Sequence, residues 1–119
     1  MEKKNNIILE KSYKFALAII ALVRKFPRTT EGFAMGTQLI KAGTSIGANV
    51  EEALGGFSKS DFTYKMSVAL KESRESNYWL RLTRDSKLIE DPNLEFLINE
   101  SAEMKKILTS IVKTSQESK

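Results

Sequence analysis

Four glutamates form the one carboxylate constellation in this sequence: Glu51 with Glu52, and Glu72 with Glu75. Glu72 and Glu75 are three residues apart, which puts them on one side of a helix. Paired glutamates on facing helices can hold Mg²⁺, and a magnesium-bound water can then attack a phosphate. Two features weaken that chemistry. The next turn after Glu51 and Glu52 offers Gly55 where a third acid is wanted. Lys71 and Arg74 stand beside Glu72 and Glu75 and can simply pair with them. A Mg²⁺-dependent nucleotide hydrolase is therefore the alternative reading. The chain has no cysteine and no histidine. That excludes disulfides, thiolate nucleophiles, zinc fingers, His-based metal sites and imidazole acid–base catalysis. The main reading is a non-enzymatic protein with no cofactor and no resident metal.

Basic residues are the second chemical resource. The net charge is +4, from 19 Lys and Arg against 15 Asp and Glu. The excess lies toward the start, where residues 1–28 carry seven basic and two acidic groups. Lys11, Lys14, Arg24, Lys25 and Arg28, with Lys3 and Lys4, are candidates for a basic rim that contacts RNA or DNA. Arg74, Arg81 and Arg84, with Lys71 and Lys87, give the third helical segment a basic edge, with Tyr78 and Trp79 interleaved among them. A base stacked on an aromatic flanked by arginine is one mode of single-strand binding. The competing assignment places Tyr78 and Trp79, together with Phe57, at an interface between copies. Asn49 and Glu52 lie one turn apart. They are read, with Ser45, Ser58, Asp61 and Glu72, as a structural polar network joining the second and third helices.

The elements that must position these groups are helices. With 119 residues the chain is one domain, and Gly plus Pro is only 8 residues, so long elements are expected. Apolar positions recur at helical spacing in four segments, about residues 8–26, 31–54, 59–89 and 94–112. In the first, Phe15, Ile19, Leu22 and Phe26 form a stripe that Pro27 ends. The apolar run of residues 15–23 is too short to span a bilayer and lacks a cleavage site, so it reads as a buried helix of a cytoplasmic protein. In the second, Thr30 is expected as N-cap, and Leu39, Gly43, Ile46 and Val50 share a face. Its glycines each cost about 1 kcal/mol relative to Ala, which makes sense where another helix comes close. Ser58 caps the third, with Asp61 in the capping-box position. The third carries two apolar faces, one through Met66, Ala69 and Leu80 and one through Val68, Trp79 and Leu82. The fourth begins near Asp91 or Asn93, and a polar tail after Val112 is expected to fray. Four helices joined by short loops give an all-α, antiparallel up-down-up-down four-helix bundle.

Residues 44–82 carry more than a helix pair. Ser45, Ile46, Asn49, Glu52, Ser58, Lys59, Asp61, Phe62 and the run from Lys71 and Glu72 to Trp79 and Leu80 together resemble one family. It is the bacterial four-helix-bundle proteins known from intervening sequences in 23S ribosomal RNA genes. Phe26 and Pro27 fit as well, and the resemblance covers about residues 10–112. It departs at Gly47, where the family often has Pro, at Ala53, where Gly is common, and at Gly56 and Phe57, where basic residues are frequent. The resemblance implies a closed-ring homo-oligomer, typically a pentamer, with no assigned catalytic activity. A relative, the accessory protein of diversity-generating retroelements, implies engagement of nucleic acid and a reverse transcriptase. The expectation is thus a cytoplasmic oligomeric scaffold or nucleic-acid-binding protein. Its partners are copies of itself, RNA or DNA, and a protein encoded nearby, with no membrane.

Overall fold

The computed structural model describes residues 2–117. Four helices follow one another: α1 (Lys3–Val23), α2 (Thr30–Leu54), α3 (Lys59–Asp85) and α4 (Asn93–Glu117). Each packs on its neighbours around a square, α1 on α2, α2 on α3, α3 on α4 and α4 back on α1. Short connections make every neighbouring pair antiparallel. The result is a rod of 49 × 20 × 19 Å. The all-α four-helix bundle expected from the sequence is what the chain forms.

The stripes read from the sequence face the axis. Phe15, Ile19 and Leu22 meet Leu39, Ile46 and Val50, with Met66, Ala69 and Leu80 from α3 and Leu97, Met104 and Leu108 from α4. Burying apolar side chains of this size is worth about 1.5–3 kcal/mol each. The small residues of α2 do the work their type suggests. A β-carbon at Gly43 would lie 2.9 Å from Ile19, and one at Gly36 would lie 3.0 Å from Val23. The absence of that carbon lets α1 lie against α2.

The ends differ from the sequence reading in five places. α1 stops at Val23 rather than Phe26, because Lys25 and Phe26 donate to carbonyls three residues back, Leu22 and Val23, at 3.0 Å each. That tightened turn lets the chain leave the helix before Pro27. α1 also begins at Lys3, earlier than expected, with Lys4 donating to the Ser110 hydroxyl of α4. Thr29, not Thr30, caps α2, accepting the Gly32 N–H at 3.1 Å.

α3 ends at Asp85 rather than Ile89. Lys87 N–H donates to Arg84 O and Leu88 N–H to Thr83 O, with Lys87 in the left-handed region at φ 58°. This is a Schellman stop built without glycine. α4 does not fray after Val112. It runs to Glu117, held where the Thr63 and Ser115 hydroxyls meet across α3 and α4. The last two residues of the expected frayed tail lie outside the described residues.

Candidate nucleic-acid and self-association surfaces

The seven predicted nucleic-acid cations divide into two groups. Lys11 contacts both carboxylate oxygens of Glu100 at 3.1 Å, tying α1 to α4. Lys14 pairs with Glu10 one turn away at 2.8 Å, which holds the Glu10 carboxyl below its usual range. Lys25 reaches Asp91 at 2.9 Å and draws its pKa down, aided by the Asn93 N–H on the same carboxylate. That one contact binds the α1–α2 corner to the α3–α4 turn. Arg84 bridges Asp85 and Glu95 at 2.8 Å each, which raises its already high pKa. These four are occupied by protein carboxylates. Arg24, Arg28 and Arg81 have no carboxylate within 4 Å among the described residues. Arg81 instead takes Asn77 Oδ1 at 2.8 Å and lies 5.9 Å from the Tyr78 ring centre.

Arg24 and Arg28 have apolar company. They line a groove of about 350 Å³ with Phe26, Pro27, Phe33 and Ile40, between the end of α1 and the start of α2. Farther along the same helix pair, Leu9, Tyr13 and Leu54 line another groove, rimmed by Glu10, Lys14 and Glu51. Tyr13 is 61% exposed, Leu17 54% and Phe33 61%. The outer side of the α1–α2 pair is therefore an apolar strip with charged edges. The sequence reading passed over Tyr13, Leu17 and Phe33 because they lie off the core stripes. The signal available was their size at positions the stripes leave to solvent.

The predicted interface residues differ in exposure. Phe57 is fully exposed in the α2–α3 turn. Tyr78 is half exposed, and its ring meets Trp79 edge to face with centroids 5.0 Å apart. Trp79 is half buried and packs on the core. Tyr78 and Trp79 line a shallow hollow with Gln38, Arg74 and Glu75, between α2 and α3.

Of the predicted polar network, Glu52 and the Ser45–Glu72 pair link α2 to α3, while Asn49 and Ser58 make local contacts. Asn49 does not reach α3; its amide donates to Ser45 O, one turn back in α2, at 2.8 Å. Ser45 likewise donates to Lys41 O. Glu52 faces outward and pairs with Lys65 at 2.9 Å, the one ion pair across α2 and α3 among the described residues. Ser58 accepts the Asp61 N–H at 3.0 Å as an N-cap, while the Asp61 carboxylate sits against Gly56. Hydroxyl and amide groups one turn from their own helix carbonyls satisfy themselves locally. The buried polar bridge lies elsewhere. Asn77 of α3 donates to Ser101 Oγ at 3.0 Å and Ile98 O at 3.2 Å on α4.

The four glutamates do not converge. Glu51 looks toward α1, and Glu52 is engaged by Lys65. Glu72 lies beside Glu75, and burial, then that neighbour, push its pKa up, against the pull of Lys71 and Ser45. Among the described residues no three acidic side chains are grouped to hold a metal ion. No described helix is long and apolar enough to cross a membrane.

Comparison with known proteins agrees with the bundle. A family model described as 23S rRNA-intervening sequence protein matches residues 4–110. The crystal structure of a protein of unknown function from the S23 ribosomal protein family of Bacteroides thetaiotaomicron is 39% identical. The match covers 92% of this chain and 98% of that one, with a TM-score of 0.84. No curated protein matches.

Proposed function

The chain belongs to the 23S rRNA-intervening sequence protein family, and from that premise we propose that it is a non-enzymatic cytoplasmic scaffold that self-associates and presents cations to RNA or DNA. The observation that carries the reading is the α1–α2 outer strip. Tyr13, Leu17 and Phe33 stand exposed on it, with Arg24 and Arg28 at one end and free of carboxylates. An apolar strip of this kind is a usual mark of a contact surface. A second copy is its occupant in this proposal, in a ring that the family resemblance sets at five. Phe57 and Tyr78 offer further apolar surface for such contacts, whereas most of Trp79 serves the bundle's own core.

The nucleic-acid half rests on Arg24, Arg28 and Arg81, the predicted cations left unpaired. A ring repeats each of them once per copy, and repeated weak sites bind strongly together. Lys11, Lys14, Lys25 and Arg84 contribute to the general positive field rather than to direct phosphate contacts.

Size-exclusion chromatography with light scattering, run beside fluorescence anisotropy on RNA and DNA across a salt series, tests both halves. The expected outcome is a mass of several protomers that Tyr13→Glu with Leu17→Glu lowers to one while helical circular dichroism is kept. Nucleic-acid binding is expected to weaken as a power of salt concentration, with a shallower slope in Arg24→Gln with Arg28→Gln. A monomer at every concentration would remove the scaffold reading. Oligomers indifferent to nucleic acid at low salt would leave a protein-only adaptor.

A further inference from the structure

At the end of the rod farthest from Arg24 and Arg28, the starts of α1 and α3 and the close of α4 enclose a cleft of about 600 Å³. Lys3, Lys4 and Lys59 line it, with Asn5, Thr114 and Ser115, above Phe62 and Ile111. None of the three lysines has a carboxylate within 4 Å among the described residues. The Lys4 ammonium donates to a neutral group, Ser110 Oγ, at 2.5 Å. Among the described residues Glu2 is the one acid that lines it.

This grouping puts positive charge at two helix starts. All three lysines sit in the first turns of helices or at their threshold, where the helix dipole is already positive. The first turns of α2, α3 and α4 carry acids, Glu31, Asp61 and Glu95, whereas the first turn of α1 carries none. Three lysines around one partly walled, apolar-floored space give it a positive potential that favours an anion.

We propose that this cleft binds a phosphate monoester carried on an apolar body about the size of one nucleotide. The three ammonium groups suit a compact dianion, for which lysine acts as a point charge. Phe62 and Ile111 offer the apolar floor, and Asn5, Thr114 and Ser115 offer polar groups to orient the ligand. The volume lies within the range of small-molecule sites, roughly 300–1,000 Å³, and is too small for a duplex. The site does not rest on the nucleic-acid half of the proposed function, which is carried by Arg24, Arg28 and Arg81 rather than by these lysines. A free nucleotide and the 5′-phosphorylated end of a strand share this chemistry.

Backbone amide NMR of the full chain tests the site, titrated separately with uridine monophosphate, orthophosphate and uridine. Uridine monophosphate is expected to move the signals of residues 3–5, 59, 62 and 114–115, and uridine to leave them in place. Lys4→Gln with Lys59→Gln should weaken that binding by about tenfold or more, a loss of about 1.4 kcal/mol. Arg24→Gln with Arg28→Gln should leave it unchanged. Two oligonucleotides differing only in a 5′-phosphate then separate the sources. A phosphorylated strand binding more tightly than the mononucleotide assigns the cleft to strand ends, and a weaker one assigns it to free nucleotides. Signals that stay still at millimolar ligand, or that move equally with uridine, would overturn the proposal.

Discussion

The seam between α1 and α2 and the seam between α3 and α4 hold the same bundle together by opposite means. The first is made of missing atoms. Gly36, Gly43 and Gly47 recur on the side of α2 that meets α1, facing Val23, Ile19 and Ser12. The second is made of polar atoms. Asn77 crosses from α3 to Ser101 and Ile98 O, and Ser101 itself donates to Ile98 O at 2.8 Å. Close packing depends on shape and tolerates no added volume. A buried hydrogen-bonded bridge depends on every partner staying in place. The two seams should therefore fail under different substitutions.

Gly43→Val should produce the largest effect. Its first added carbon meets Ile19 at 2.9–3.2 Å with the rest of the side chain still to place, so a loss of about 3 kcal/mol is expected in urea unfolding. Asn77→Ala should cost about 1.5 kcal/mol by the same measurement, because it strips the bridge from one side only. Ser76→Ala should go the other way. Its buried hydroxyl has no partner among the described residues, and removing it should stabilise by about 1 kcal/mol. A loss on Ser76→Ala would show that this hydroxyl is satisfied in solution.

Glu72 adds a third kind of contact, near Ser45 at the α2–α3 boundary. Its pKa is raised by burial and by Glu75. The folded state therefore holds this proton more tightly than the unfolded chain. The stability it withholds at neutral pH returns as pH falls from the raised folded value through the ordinary glutamate range. Glu72→Gln should raise the melting temperature at pH 7, with the advantage fading at pH 4. The smallest change expected is Gly47→Ala. Its added carbon lies 3.3–3.4 Å from Ser12, a tight fit that offsets the gain of about 1 kcal/mol in helix propensity. A change within about 0.5 kcal/mol would show that the α1–α2 approach relaxes toward the Gly47 end.

The core was legible because it is periodic. Leu39, Ile46 and Val50, or Leu97, Met104 and Leu108, repeat at a spacing that only a helix brings to one side. Ser58 was legible as a cap because its side chain acts on a backbone N–H three residues away. The stop at Lys87 was not, since a non-glycine residue in the left-handed region carries no sequence mark. Asn49 was misplaced for a related reason, whereas Glu52 does reach α3, through Lys65. Their spacing puts them one turn apart, but it does not say whether an amide turns to its own helix or to the next.

Sequence alone determined the four helices, their order and the apolar stripes, because those depend on neighbours within a turn or two. The absence of His and Cys also fixed which chemistries the chain lacks. Tertiary structure decided which charges are free. Lys11, Lys25 and Arg84 look like Arg24 and Arg28 in the sequence. They are matched by Glu100, Asp91 and Glu95, which lie 89, 66 and 11 residues away along the chain. A charge is available to a ligand only where no partner stands within a few ångströms, and that distance is set by how helices pack.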